Sequence, residues 1–170
     1  EEGGADRDKP VQMTYKHALS KVQFYGFSST AGIEAQLTNF TIRVPKSANA
    51  VCTLNEDTKE RTTDENNVTT EYPLVIAYTL GTETSSLSSE GEFTLQDVST
   101  NANGTQVLEK LVLPMETGTF HVAATYKIGN ETKTVETDIT ATWQPGKNYI
   151  YKFYIQPAGP IIFGDTIEVT

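Results

Sequence analysis

Cysteine is nearly absent from this chain of 170 residues, with Cys52 as its one example. A single thiol forms no internal disulfide, so the fold does not depend on one. Cys52 lies between Val51 and Thr53 in a strand-like context, where a free cysteine packs as a small hydrophobic residue. We therefore predict a buried and inert thiol rather than a nucleophile.

Basic residues are also scarce, because 13 lysines and arginines face 22 aspartates and glutamates, which gives a formal net charge of -9. Nucleic acids and anionic membrane surfaces repel such a protein, so neither is expected as a partner. No apolar run approaches the roughly 20 residues of a membrane helix. The sequence thus predicts no transmembrane segment in this chain.

Motifs for catalysis or metal binding are missing as well. The two histidines, His17 and His121, have no zinc-site spacing, and both are interpreted as structural residues. There is no Gly-x-Ser-x-Gly elbow and no phosphate loop. We predict a non-enzymatic protein without catalytic residues, bound metal or cofactor. A glycosidase-type carboxylate pair stays open, because the distance between two carboxylates in the fold cannot be read from the sequence.

One acidic run lacks the spacing and glycine of an EF-hand and is predicted to be a solvated loop; it consists of Glu56, Asp57, Glu60, Asp64 and Glu65.

Alternation of apolar and polar residues runs through most of the chain, which is typical of half-buried strands. The parity slips at Ser20–Lys21, which predicts a bulge or short break. Helical periodicity is confined to one-turn candidates at Thr30–Ala35 and Leu108–Lys110. Two stretches rich in Thr, Ser, Glu and Asp, Asn55–Thr70 and Thr82–Glu92, are predicted to be long surface loops. The fold class predicted is all-β, an antiparallel sandwich of about seven to nine strands.

One hairpin can be predicted residue by residue. Gly129-Asn130 is a two-residue turn of the kind that hairpins prefer. If Ile128 lies opposite Glu131, then Val122 lies opposite Thr137, and the apolar sets of both strands fall on one face. Turn chemistry and pattern therefore predict the same register.

The aromatic residues near the C-terminus permit two interpretations. Trp143 and neighbouring tyrosines could stack on a sugar if they were exposed and coplanar. However, Tyr149, Tyr151 and Phe153 share the parity of an apolar strand face, which favours packing in the core. We predict that the rings of Trp143 and His17 are at least partly buried.

Two segments near the ends of the chain carry a resemblance to a known family. The first is Tyr15-Lys16-His17-Ala18-Leu19-Ser20-Lys21-Val22. The second is Trp143-Gln144-Pro145-Gly146-Lys147-Asn148-Tyr149-Ile150-Tyr151, followed by Ile161-Ile162-Phe163 and Ile167-Glu168-Val169. Together they resemble the fimbrillin family, which comprises major fimbrial subunits and fimbria-associated lipoproteins of Bacteroidales-type bacteria.

The resemblance implies a domain arrangement and a location. Residues 1–9 would be a linker, and residues 10–170 a fimbrillin-like C-terminal β-sandwich domain with transthyretin-like, Greek-key strand order. The implied role is that of a fimbrial (pilus) subunit or fimbria-associated adhesin, outside the cell on a fimbrium or the outer membrane. The implied partners are other fimbrial subunits, with a host protein or glycan as a further candidate.

The resemblance also implies assembly by β-strand exchange, in which a strand of one subunit completes the sheet of the next. The candidate donor strand is the C-terminal one, with Ile161, Phe163, Ile167 and Val169 as its apolar residues. Two alternatives stay open at this point: a glycan- or host-protein-binding module of a surface lipoprotein, and an accessory domain of a surface enzyme.

Overall fold

The computed structural model of the chain describes residues 17–54, 60–64, 67–71 and 74–169. Every regular element in these ranges is a β-strand. In chain order they are β1 (Ser20–Ser28), β2 (Ala35–Pro45), β3 (Ala48–Leu54), β4 (Glu60–Asp64), β5 (Asn67–Glu71), β6 (Leu74–Leu80), β7 (Thr84–Ser88), β8 (Phe93–Leu95), β9 (Thr105–Val112), β10 (Met115–Ile128), β11 (Glu131–Trp143), β12 (Asn148–Ile155), β13 (Ile162–Phe163) and β14 (Ile167–Val169).

Two main sheets pack face to face. Sheet 1 has the order β9, β1, β12, with β13 and β14 sharing the far edge of β12. Sheet 2 has the order β11, β10, β2, with β7 and β8 sharing the far edge of β2. Each sheet therefore has four strand positions, which confirms the predicted all-β sandwich. The number of strands exceeds the predicted seven to nine because two edge positions are each shared by two short strands and because further strands lie outside the two sheets. The remaining strands form two separate ribbons, β3 with β6 and β4 with β5.

The strand pairs are antiparallel except for β1 and β12, which run parallel. Val22 lies beside Tyr149 and Phe24 beside Tyr151 in this pair. Alternate residues of β12 are buried, as the pleat requires when one face of a sheet covers a core. The parallel pair thus places the end of the first resembling segment beside the second segment at the centre of sheet 1.

Aromatic rings fill the space between the sheets. Phe24 stacks on Tyr151 with 4.9 Å between ring centroids, and Phe40 stacks on Phe153 at 4.7 Å. Phe120 packs against Trp143 with 5.0 Å between ring centroids and 35° between the ring planes. These contacts join residues from both sheets into one core.

The predicted hairpin is confirmed in every pair of its register. Val122 lies opposite Thr137, and Ile128 lies opposite Glu131. Gly129 has a φ of +59°, whereas Asn130 does not lie in the positive region. A positive φ at the first central residue alone is the type II′ pattern, so glycine is the residue that this turn requires.

Several local predictions were wrong. Leu108–Lys110 lies in β9 and Thr30–Ala35 contains a turn closed by the Ile33 N–H donating to the Thr30 carbonyl, so neither is helical. The predicted loop Thr82–Glu92 contains β7, and Asn55–Thr70 contains β4 and part of β5. These strands are rich in Ser and Thr and pair through their backbones, so the sequence carries little apolar signal for them, although Leu87 of β7 packs against the core.

The predicted break in the first strand has two parts. β1 begins at Ser20, after a bend at Ala18 and Leu19, which agrees with a break at this point. The bulge lies further along, where the register with β9 shifts between Phe24 and Tyr25.

The side chains of Cys52 and of the acidic run around Glu60 lie outside the described part of the structure. The described residues include no helix long and apolar enough to cross a membrane.

Candidate functional site

The predicted donor residues meet at one edge of sheet 1. Phe163 in β13 pairs with Phe153, and Ile167 in β14 pairs with Ile150. Val169 pairs with Asn148 through the backbone. The structure therefore brings Phe163, Ile167 and Val169 together along β12, in two short strands rather than one, and Ile161 lies directly before β13.

The four positions differ in burial. Ile161 is buried, and Phe163 is half-buried with its ring 6.0 Å from that of Phe153. Ile167 faces outward and is 44% exposed. The side chain of Val169 lies outside the described set. The predicted alternation thus holds for β13 but changes face across the Gly164–Thr166 connection, because β14 is a separate strand.

Few interactions outside the ladder hold this edge. The Gly164 N–H donates to the Lys152 carbonyl at 2.9 Å. The Lys147 Nζ lies 3.2 Å from the Glu168 Oε1, in a partly exposed ion pair. Beneath β14 a cavity of about 270 Å³ separates Glu168 and Thr166 from Thr140 and Thr142 of β11. Short, underpacked edge strands of this kind open at a lower free energy than a sheet's centre.

The two resembling segments are joined by backbone hydrogen bonds. The Lys21 N–H donates to the Lys147 carbonyl at 2.9 Å, and the Gly146 N–H donates to the Leu19 carbonyl at 2.9 Å. The hydroxyl of Ser20, which is fully buried, donates to the Gln144 carbonyl at 2.7 Å. Such pairing between positions more than 120 residues apart in the chain cannot be read from either segment alone.

Comparison with protein families shows to which family this chain belongs. Residues 1–169 match the family described as fimbrillin-like. The chain belongs to the fimbrillin-like family. This family is structural and adhesive rather than catalytic.

Other comparisons add little to the fimbrillin-like assignment. No curated protein matches the chain. A solved structure of a candidate cell adhesion protein from Bacteroides ovatus is similar at 13% identity and a TM-score of 0.33, over 89% of this chain and 44% of that one. The chain thus spans less than half the length of that protein, and a likeness of this size supports no further argument.

The C-terminal aromatics of this fimbrillin-like chain belong to the core, as predicted. Trp143 is 1% exposed, and its Nε1–H donates to the Tyr151 Oη at 2.7 Å. Tyr149 accepts a hydrogen bond from the Gln144 N–H. Burial raises the pKa of Tyr151 to about 12, against the lowering effect of the Trp143 hydrogen bond. These rings are not available as a sugar-stacking platform.

We expect Tyr151→Phe to lower stability most clearly below pH 10. The substitution leaves the buried Trp143 Nε1–H without its acceptor, which costs about 1–3 kcal/mol. Because the pKa of Tyr151 is raised in the folded state, its contribution is present below pH 10 and is lost as the pH rises towards 12. Urea unfolding at pH 7 and pH 11 should therefore show a larger difference between variant and parent at pH 7. Tyr25→Phe is the exposed control, and an equal effect of both variants would contradict this assignment.

The two histidines have different environments. His17 is exposed, which contradicts the predicted partial burial, because the chain bends before β1 begins and turns this residue away from the core. His121 is partly buried, and its Nδ1 lies 2.8 Å from the Asp138 Oδ1 across the hairpin. Among the described residues no group of three or more His, Cys, Asp or Glu side chains is placed to hold a metal ion.

Proposed function

We propose that this chain is a domain of a non-enzymatic fimbrial subunit or fimbria-associated adhesin that assembles by β-strand exchange. Residues 10–170 would form the domain and residues 1–9 a linker, on the outer surface of the cell at a fimbrium or the outer membrane. The donor would be the segment Ile161–Thr170. Family membership supports the fimbrial role, and the observation that carries the donor role is the attachment of β13 and β14 as short strands at a sheet edge.

The physical basis of the proposal is β-augmentation. An edge strand that leaves its sheet carries its own unpaired backbone groups and alternate apolar side chains to a neighbouring sheet, which supplies both affinity and specificity. β14 pairs through three residues and β13 through two. Release of this segment leaves β12 paired with β1 over eight positions, so sheet 1 would persist.

A ligand-binding role remains the second proposal. A cavity of about 550 Å³ lies between β6 and the end of the hairpin where β10 begins and β11 ends, with Tyr78, Glu116, Thr117 and Gln144 among its walls. Its size and its mixture of apolar and polar walls suit a small ligand such as a glycan or a segment of a host protein. Glycan-array binding that is lost in Glu116→Ala and Thr117→Ala, with fimbrial assembly unchanged, would favour this role.

A reversible lock on β14 tests strand exchange. Ile150 and Ile167 are direct partners across β12 and β14, and partners in antiparallel pairs have Cα separations suited to a disulfide. We expect the Ile150→Cys/Ile167→Cys variant to be excluded from fimbriae when oxidised, because the strand cannot leave. Reduction should restore incorporation, measured as the fraction of the protein recovered in sheared fimbriae.

The single variants Ile150→Cys and Ile167→Cys, made like the double variant in a Cys52→Ser background that removes the native thiol, are the matched controls, since each carries one of the substitutions and no internal cross-link. Both should be incorporated under oxidising and reducing conditions alike. Normal incorporation of the oxidised double variant, with the disulfide verified by mass spectrometry, would exclude β14 as an exchanging strand.

A further inference from the structure

The cavity between β6 and the end of the hairpin contains a carboxylate that has no counter-charge. Glu116 lines this space of about 550 Å³, and its carboxylate makes no ion pair with any described residue. Glu168, which lines the cavity of about 270 Å³ beneath β14, is in contrast paired with Lys147 at 3.2 Å. None of the described residues around the larger cavity is a lysine, arginine or histidine. An unbalanced negative charge in a concave site attracts a cationic ligand.

The walls of this cavity are fixed before any ligand arrives. On one side the hydroxyl of Tyr78 donates to the Ala18 carbonyl, which joins β6 to the segment before β1. Leu80, two residues further along β6, is partly buried and packs against the core. On the other side lie Met115 and Trp143, which are 3% and 1% exposed. The cavity is therefore formed where the β3–β6 ribbon meets the sandwich, and a ligand does not have to open it.

The polar groups around the cavity are mainly acceptors of hydrogen bonds. Pro114 and Pro145 have no N–H to donate. The Trp143 Nε1–H is already used within the core. The Thr117 hydroxyl donates to the Glu116 carbonyl at 2.7 Å, so its oxygen is left to accept. Such walls suit a ligand group that only donates, and an ammonium group has three donors and no acceptor.

A lysine side chain matches both the charge and the apolar part of this cavity. We propose that the cavity binds a lysine side chain of a partner protein, an inference that rests on the second proposal above, that the cavity binds a ligand. The four-carbon stem would pack against Leu80, Pro114 and Pro145, and the ammonium group would meet the Glu116 carboxylate. The Tyr78 ring adds an aromatic wall of the kind that attracts cations.

A sugar matches these walls less well, because its hydroxyl groups both donate and accept and because sugars stack on exposed aromatic faces. The one tryptophan of the chain is buried beneath the cavity and not exposed in it. The net charge of -9 also favours the approach of a basic segment over that of a neutral one.

Two blocked tripeptides test the role of the ammonium group. One is glycyl-lysyl-glycine, and the other has norleucine in place of lysine, which keeps the stem and removes the charge. Each is titrated into the isotope-labelled 170-residue chain at low salt, and the amide shifts are followed by NMR. We expect the lysine peptide to shift residues 115–117 and 142–144 with a dissociation constant on the order of 1 mM. The norleucine peptide should bind at least about threefold more weakly.

Matched variants assign this preference to one carboxylate. Glu116→Gln keeps the shape of the side chain and removes its charge, so this variant should bind both peptides with equal affinity. Glu92 is also exposed and makes no ion pair with a residue that the structure describes, but it does not line the cavity. Glu92→Gln changes the net charge of the protein by the same amount and should keep the preference for lysine.

The possible failures of this inference and of the ligand-binding proposal can be told apart. Equal shifts by both peptides in the parent would show a cavity that binds a ligand without recognising its ammonium group, which overturns the lysine assignment alone. The same assignment is overturned if the preference survives in Glu116→Gln or is lost equally in Glu92→Gln. If neither peptide shifts the cavity residues, the lysine assignment is wrong, and the glycan array described above then decides whether the cavity binds a ligand at all.

Discussion

Replacing Phe24 with alanine should bring the domain close to its unfolding threshold at 25 °C. Phe24 is fully buried in the middle of β1. Its ring stacks on Tyr151 at 4.9 Å and packs against Phe40 at 5.2 Å and Phe120 at 6.1 Å. A buried Phe→Ala substitution costs about 3–5 kcal/mol, and a domain of this size has only about 5–15 kcal/mol in total. The loss is large because the cavity would open between both sheets, where neither can collapse into it.

Equilibrium unfolding in urea measures this effect, and the neighbouring residue provides the control. Tyr25 faces outward from the same strand, and its hydroxyl donates to the Gln106 Oε1 at 3.1 Å in an exposed hydrogen bond. Tyr25→Ala should therefore cost less than about 1 kcal/mol. Similar losses for the two variants would show that Phe24 does not organise the core.

The parts of the fold that were predictable are those with local causes. The β10–β11 register follows from one turn and two alternating strands, because Gly129 and the apolar positions from Phe120 to Ile139 act within 20 residues. The buried face of β12 follows from the same alternation at Tyr149, Tyr151 and Phe153. In each case the residues that determine the register or the buried face lie within the same short stretch of sequence as the strands concerned.

The remaining features depend on distant or backbone-only interactions. The parallel pairing of Lys21 with Asn148 joins positions 127 residues apart, and no local pattern encodes such a contact. β7 consists of Thr, Ser and Leu and pairs with β2 through main-chain groups, so its composition resembles a loop. His17 was misjudged because its alternation with Leu19 suggested a strand, whereas the described strand begins at Ser20.

The candidate donor strand illustrates both cases. Its apolar residues can be identified from the sequence, and the structure places Phe163, Ile167 and Val169 along a single strand, β12, with Ile161 directly before β13. Their division into β13 and β14 was not predicted, because Ile161, Phe163, Ile167 and Val169 keep one parity through Gly164. The chain changes face there, so Phe163 packs inward while Ile167 meets solvent.

Deleting Ile161–Thr170 should abolish incorporation into fimbriae while leaving a soluble, folded remainder. The remainder keeps the parallel pair of β1 and β12 and the whole of sheet 2. It loses the burial of Ile161, which is 6% exposed, and the contact of Phe163 with Phe153. Removing this apolar burial costs about 2–4 kcal/mol, which lies below the total stability of a domain of this size.

The experiment combines two measurements on each protein. Circular dichroism with urea unfolding reports whether the truncated domain folds, and recovery from sheared fimbriae reports incorporation. A shorter deletion, Gly164–Thr170, keeps Ile161 and Phe163 in place and serves as the control for folding, because it removes only β14. If the full deletion unfolds completely while the shorter one stays folded, Ile161 and Phe163 are core residues that cannot leave, and the donor role is untenable. If both deletions fold and both are still incorporated, the C-terminal segment takes no part in exchange, and assembly must depend on another edge of the sandwich.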